Sequence, residues 1–192
     1  MAGAEPPGGG DVGAVPHKRF IDILTPQSAR DGFLAWRSAR HGKRLPDLFD
    51  FAPLRLPRSV LPWSMVYRRL DSGELVYGLV GDELVYCFGE NPKGKPVLAY
   101  AEPAERARRL EIILRSIATG LPVWFVGSVL FERKGHVPVG RLLMPVEEHG
   151  REAALIIYFI LDEPPKEHLR IVRPTSMDPL QLVWCTQQDL EE

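Results

Sequence analysis

The order of strand-like and helical segments constrains the fold of this chain more than any other feature. A strand pair comes first, at residues 65–80, with a turn at Asp71-Ser72-Gly73. A helical stretch and three consecutive strand-like segments follow, at residues 104–120, 123–132, 139–147 and 153–161. This order predicts an α+β fold, in which a small antiparallel sheet carries helices across one face. Such a sheet tends to enclose a pocket, which favours sensing or binding over catalysis.

The helical stretch at 104–120 has apolar residues at spacings of three and four, so it is predicted to be amphipathic. Its apolar face is Ala107, Leu110, Ile113, Leu114 and Ile117. Four arginines lie mainly outside this face: Arg106, Arg108, Arg109 and Arg115. These arginines either hold an anion or form a solvated surface whose positive charge is balanced by Glu105 and Glu111. The solvated surface is the preferred interpretation.

In the three late strands, the odd-numbered and the even-numbered positions are both apolar. A sheet with one solvent-exposed face would instead alternate between apolar and polar residues. Both faces of the sheet are therefore predicted to be covered. Helices cover one face. The other is covered either by a second subunit, which would make the protein a homodimer, or by a predicted N-terminal helix at 28–41 that folds back across the sheet.

The chain of 192 residues is expected to form one domain with tails. Residues 1–27 are predicted to be a disordered or extended tail, because 1–16 have almost no large apolar side chain. The domain itself is predicted at 28–162. Residues 163–192 are rich in proline and are predicted to pack on the domain as a short appendage.

Charge and composition narrow the location and the partners. The formal net charge of −1 implies no general attraction to nucleic acid or to anionic membranes. No apolar run reaches the length of about 18 residues that a membrane span needs, and the N-terminus lacks the pattern of a signal peptide. Cys87 and Cys185 lie in apolar surroundings, as expected of buried thiols in a reducing cytoplasm.

Motifs for catalysis or metal binding are not found. The five histidines are scattered, so no metal site is predicted. Ser128 lacks the nucleophile elbow, and the glycine-rich turn at 89–95 lacks phosphate-loop spacing. An enzyme would need an Asp or His in the cavity. Asp71 and Asp82 are candidates, but both are predicted to lie at turns, so no catalytic residue is assigned and the protein is not expected to be an enzyme.

Five residues are predicted to line a ligand pocket, because they place a few polar tips in an otherwise apolar space. They are Tyr77, Phe88, Trp124, Arg141 and Tyr158. The aromatic residues fit core packing equally well. If Arg141 is buried, it needs an acid, a carbonyl or an anionic ligand as partner; otherwise it lies on the outer face beside a surface glutamate.

Short motifs in a fixed order resemble a bacterial family of short PAS-like proteins over residues 28–162. They are Trp36, Arg44-Leu45-Pro46, Asp50-Phe51 with Pro53-Leu54, Leu79-Val80-Gly81, Gly94, Gly120-Leu121-Pro122, and Arg141 with Leu142 to Pro145. The resemblance implies a PAS-like five-stranded antiparallel sheet with helices packed across it and an added N-terminal helix. Asp82 and His149 depart from the family pattern, so the resemblance names neither a ligand nor a cofactor.

Two functional hypotheses follow from the sequence. In the first, a PAS-like sensory or regulatory domain binds a small molecule in an apolar pocket and signals through protein–protein contacts, as a homodimer and to an unidentified downstream protein. In the second, the same fold has a filled core and serves as a ligand-free interaction or dimerisation module. A cavity between sheet and helices would distinguish them.

Overall fold

The computed structural model describes residues 18–52, 55–99, 101–132, 134–162, 170–173 and 181–191. The helices are α1 (Phe20–Ile23), α2 (Gln27–Ala39), α3 (Leu48–Phe51), α4 (Asp82–Phe88), α5 (Pro103–Thr119) and α6 (Gln187–Glu191), with a 3-10 helix at Arg58–Trp63. The strands are β1 (Ser64–Arg69), β2 (Leu75–Val80), β3 (Val123–Phe131), β4 (Gly135–Glu148), β5 (Arg151–Ile160), β6 (Ile171–Arg173) and β7 (Gln181–Trp184).

The described strands form one antiparallel sheet in the order β2-β1-β5-β4-β3-β6, with β7 also paired to β3. This confirms the predicted α+β class with helices on an antiparallel sheet. The prediction of five strands was too low, because β6 and β7 both pair with β3. That pairing covers what would otherwise be an exposed edge.

Alternation along each strand sends side chains to two opposite faces of the sheet. One, here called the cavity face, carries Met65, Tyr67, Val123, Phe125, Leu143, Ala154 and Ile156. The other, here called the α2 face, carries Val66, Trp124, Leu142, Met144, Leu155, Ile157 and Phe159. Both faces are buried, as the apolar character at both parities predicted.

The α2 face is covered by the N-terminal part of the same chain. Phe33 and Trp36 of α2 are fully buried against it. The Trp36 Nε1–H donates a hydrogen bond of 2.7 Å to the Pro145 carbonyl oxygen, which fixes α2 to β4. Of the two predicted covers, the structure has the N-terminal helix, so a second subunit is not needed to bury this face.

The predicted tail at 1–27 is wrong for its last ten residues. Phe20, the first residue of α1, and Leu24, directly after α1, are both buried in the core of the α2 face. Their apolar side chains supply burial that offsets the entropy cost of ordering this segment. Residues 1–17 lie outside the described part of the chain.

The C-terminal segment is part of the sheet, so the predicted domain limit at 162 was too early. β7 pairs with β3 from Val123 to Val126. Cys185 is buried in the core of the α2 face. The Asp189 carboxylate accepts a hydrogen bond of 2.8 Å from the Phe20 N–H, which joins α6 to the start of α1.

Helix α4 was not predicted. It begins after Gly81, where a Cβ would lie 2.4 Å from the Leu61 carbonyl oxygen, so glycine allows this close approach. Asp82 lies in the first turn of α4, where a carboxylate favours the helix N-terminus, and not in a turn as predicted. Asp71 does lie in the β1–β2 turn, with an ion pair of 3.3 Å to Arg151.

Candidate ligand-binding site

A cavity of about 570 Å³ lies between the cavity face of the sheet, helix α5 and the segment from Phe88 to Ala99. Its described lining is mainly aromatic and aliphatic. The residues are Tyr67, Tyr77, Phe88, Glu90, Pro92, Lys95, Pro96, Leu98, Ala99, Arg109, Ile112, Ile113, Phe125, Val129, Arg141, Ile156, Tyr158 and Ile171. The volume falls within the range of about 300–1,000 Å³ that is typical of small-molecule sites.

Three aromatic rings form one wall of the cavity. Tyr67 and Tyr77 are register partners on β1 and β2, and their ring centroids are 5.7 Å apart. Phe88, at the end of α4, lies 6.3 Å from the Tyr77 ring. The Tyr77 hydroxyl accepts a hydrogen bond of 3.3 Å from the Leu98 N–H, which ties the ring to the segment opposite.

Arg141 is a buried cation on the cavity side of β4, between its register partners Phe125 and Tyr158. Its guanidinium carbon is 5.6 Å from the Phe125 ring centroid and 5.1 Å from that of Tyr158. Nη1 approaches the Val139 carbonyl oxygen at 3.5 Å, the outer limit for a hydrogen bond. Among the described residues, no carboxylate forms an ion pair with Arg141.

The environment of Arg141 disfavours its charge. Burial lowers the pKa of the Arg141 guanidinium, the nearby Arg109 charge lowers it further, and Tyr158 partly offsets both effects. Arginine still remains protonated at neutral pH because its ordinary pKa is so high. The cavity therefore contains a full positive charge in apolar surroundings.

Arg109 is a second arginine of the cavity, so the solvated surface that was preferred for it from the sequence is wrong. Only 8% of Arg109 is exposed, and its Nε donates a hydrogen bond of 2.6 Å to Glu105 on the preceding turn. The buried face of α5 is Arg109, Ile113, Ser116 and Ile117. Leu114, predicted to be in the core, is 38% exposed.

The sequence contained a signal for which face of α5 is buried. Glu105 and Arg109 are four residues apart, which is the spacing of an ion pair along a helix, and Ile113 and Ile117 continue the same stripe. A neutralised arginine can be buried, so a charge in the sequence does not by itself mark the solvent face.

The segment from Gly89 to Ala99 forms the exposed side of the cavity. It is held against β2 by backbone hydrogen bonds from Tyr77 N to Lys95 O (3.0 Å), Gly94 N to Tyr77 O (2.7 Å) and Val97 N to Leu75 O (2.8 Å). The side chains of Lys95 and Glu90 form an exposed ion pair of 2.7 Å. The glycine-rich turn thus lies alongside the β2 edge of the sheet.

Of the five predicted pocket residues, the structure brings four together around the cavity: Tyr77, Phe88, Arg141 and Tyr158. Trp124 is the exception, because it lies on the α2 face, fully buried. The Trp124 ring packs over Gly140, where a Cβ would lie only 2.1 Å from the ring. The centroid of the Trp124 ring is 5.9 Å from that of Phe159. Strand parity separates Trp124 from Phe125, which lines the cavity in its place.

The other candidate groups lie away from the cavity lining. Cys87 and Cys185 are buried free thiols, and burial raises the pKa of each to about 12. The Ser128 hydroxyl is 3.1 Å from His136 Nδ1 at an exposed position. Within the described ranges, no group of three or more His, Cys, Asp or Glu residues converges on a metal position. In the same part of the chain, no helix is both long and apolar enough to cross a membrane.

Comparison with known proteins gives only remote structural likenesses. No family model and no curated protein matches this chain. A solved structure of an RNA-binding light-oxygen-voltage receptor matches 54% of this chain at 24% sequence identity, with a TM-score of 0.37. The match spans 30% of that receptor's chain. A TM-score at this level carries no argument about function, and RNA binding is a property of that receptor.

Proposed function

We propose that this chain is a PAS-like sensory or regulatory domain that binds a small molecule in the cavity and signals through protein–protein contacts. One observation carries the proposal: a cavity of about 570 Å³ lies between the sheet and the helices. A ligand-free interaction module would be expected to fill this space with side chains. The cavity therefore favours the sensor over that alternative.

The composition of the lining supports binding over catalysis. Most lining residues are apolar or aromatic, and a few polar groups converge among them, notably Arg141 and the tyrosine hydroxyls. This combination is typical of sites that recognise a ligand by shape and one or two polar contacts. We propose a binding role with no catalytic residue.

The position of the cavity suggests how binding could be transmitted. Its walls come from the sheet, from the end of α4, from the segment Gly89–Ala99 and from α5. A ligand that contacts all of these walls changes how they pack only if it binds one arrangement of the walls more tightly than another. We propose that α4 and the segment Gly89–Ala99 change position, and that a downstream protein or a second copy of this chain responds.

Native mass spectrometry of freshly purified protein, with an absorbance scan of the same sample, tests the proposal. We expect an extra mass that is lost on denaturation, or thermal stabilisation by members of a broad small-molecule panel. Val129→Phe narrows the cavity from β3 and should weaken both effects. Val126→Phe makes the same change on the opposite face and is the matched control.

A lack of ligand binding would support the ligand-free alternative. A protein that carries no extra mass and shows no thermal shift across the panel would favour the interaction module. Light scattering over a range of protein concentrations would then test the expected homodimer directly. A monomer at all concentrations would remove the self-association part of the proposal.

A further inference from the structure

We infer that the cavity binds a monocarboxylate with an apolar body, and that Arg141 binds the carboxylate group. This inference rests on the proposed function, since it names the class of ligand for the same cavity. It depends on the charges around the cavity, on the burial of Arg141 and on the chemistry of the walls.

The charge balance of the cavity leaves one cation over. Three of its described lining residues are cationic: Lys95, Arg109 and Arg141. Lys95 pairs with Glu90 at 2.7 Å, and Arg109 pairs with Glu105 at 2.6 Å. Arg141 forms no ion pair with any described residue. A single negative charge on a ligand would complete the balance.

The burial of Arg141 makes this imbalance significant. Only 5% of the residue is exposed, so water does little to solvate its charge. A buried charge without a counter-charge is costly, and native structures normally pair it. The partners that Arg141 has are the Phe125 and Tyr158 rings, a hydrogen bond with the Tyr158 side chain and one long contact to a backbone carbonyl, none of which carries a negative charge at neutral pH. The rings hold the guanidinium plane in place but do not neutralise it.

A bound carboxylate would relieve two unfavourable effects at once. Burial and the positive charge of Arg109 both lower the pKa of Arg141. An anion beside the guanidinium opposes both effects, because it replaces lost solvation and screens the repulsion between the two arginines. The planar guanidinium also matches a carboxylate in a two-point hydrogen bond.

The remaining walls define the rest of the ligand. Tyr67, Ile113, Phe125 and Ile156 present apolar surface to the cavity. A doubly charged phosphate would require a second cation beside Arg141, whereas Lys95 already pairs with Glu90 and Arg109 already pairs with Glu105, a carboxylate that it shares with Arg108. A neutral ligand would leave the Arg141 charge unpaired. An aliphatic or aromatic acid satisfies both the charge and the walls.

Three acid and alcohol pairs test the inference: octanoate and octanol, 4-phenylbutyrate and 4-phenylbutanol, and indole-3-propionate and indole-3-propanol. Each pair keeps the apolar body and replaces the carboxylate with an uncharged hydroxymethyl group. Calorimetry with the full chain should give at least about tenfold tighter binding for the acid of each pair that binds, which corresponds to about 1.4 kcal/mol.

Variants assign the preference to Arg141. Arg141→Met should abolish the preference for the acid and leave alcohol binding unchanged, whereas Arg141→Lys should retain part of it. Arg58→Met removes an exposed arginine outside the cavity lining and should behave as the wild type. Circular dichroism and thermal unfolding check that each variant folds.

The outcomes separate the inference from the function on which it rests. If the alcohols bind as tightly as the acids, or if Arg141→Met keeps the preference, the cavity binds ligands but the inference is wrong. If no acid and no alcohol binds the wild type, the inference is overturned. If no compound of a broad neutral and cationic panel binds either, the proposed sensor function fails with it.

Discussion

Arg141 is buried and has no carboxylate partner among the described residues, and this affects stability as well as binding. Replacing a buried charge by an apolar side chain of similar length removes a desolvation cost. We expect Arg141→Met to raise the free energy of unfolding of the ligand-free protein by about 1–2 kcal/mol. Urea unfolding followed by circular dichroism measures this change.

Arg109→Met is the matched control for that prediction. It removes a buried arginine that does have a carboxylate partner, Glu105, and so leaves that acid without its buried cation. We expect this variant to be destabilised. If Arg141→Met is destabilised as well, by more than about 1 kcal/mol, Arg141 supports the fold and is not held for a ligand.

The two buried thiols predict a loss of stability at alkaline pH. Burial raises the pKa of Cys87 and of Cys185 from an ordinary 9.0 to about 12. Between pH 9 and pH 12, the unfolded chain has therefore lost these protons while the folded chain still holds them. The stabilising contribution is complete below pH 9 and falls as the pH rises through that window.

Unfolding measured from pH 7 to pH 10.5 should show this decline, and the double variant Cys87→Ala/Cys185→Ala should show a smaller slope. The same burial should protect both thiols from a disulfide reagent in the folded protein until denaturant is added. Fast labelling of the native protein at pH 8 would contradict the assignment.

Some residues of the site could be predicted from the sequence, and others could not. Arg141, Tyr77 and Tyr158 were predictable because a side chain with a polar end is conspicuous in an otherwise apolar strand. Trp124 was misplaced because a strand that is apolar at both parities does not reveal which face each residue occupies. Arg109 was missed because its pairing with Glu105 was interpreted as part of a solvated surface, although an arginine with a carboxylate partner can also lie on the buried face of a helix.

At the scale of elements, the attachment of α2 to β4 depends on one buried hydrogen bond. Trp36→Phe keeps an aromatic ring but removes the donor, which leaves the Pro145 carbonyl oxygen unpaired in the core. We expect a loss of about 1–3 kcal/mol in the free energy of unfolding. Chemical denaturation provides the measurement.

Leu34→Ala serves as the control for Trp36→Phe, because Leu34 lies on the same helix but is partly exposed. It should cost clearly less than Trp36→Phe. Equal losses from the two variants would show that helix propensity or general burial, and not the Trp36 hydrogen bond, fixes α2 to the sheet.

Elements with a strong local pattern were predictable, and elements defined by tertiary contacts were not. Helix α2 was predicted at 28–41 and occurs at Gln27–Ala39, while α5 was predicted at 104–120 and occurs at Pro103–Thr119. Helix α4 has only seven residues and depends on the close approach at Gly81. β6 and β7 are short and are stabilised by β3, so their own sequence gives little indication of a strand.

At the scale of the whole molecule, Asp189 joins the two ends of the described chain. One carboxylate oxygen accepts from the Phe20 N–H at 2.8 Å, and the other accepts from the Thr186 N–H at 2.8 Å. Asp189→Ala should lower the free energy of unfolding by about 1–3 kcal/mol, because it leaves these donors without an acceptor. Thermal and urea unfolding both report this loss.

Glu191→Ala removes an exposed acid from the same helix and should have almost no effect. Hydrogen exchange adds a more specific measurement, because the Phe20 amide should lose protection in Asp189→Ala. A variant that keeps both its stability and its Phe20 protection would show that the contact between the two ends is incidental.

The joining of the two ends has a consequence for the design of fusions to this protein. Lys18 and residue 191 both lie near the α2 face, whereas the cavity opens on the other side of the sheet. A fluorescent reporter attached at Lys18 or at residue 191 would thus lie on the side of the sheet opposite the cavity. It would respond to an occupied cavity only if the change travels through the full thickness of the sheet.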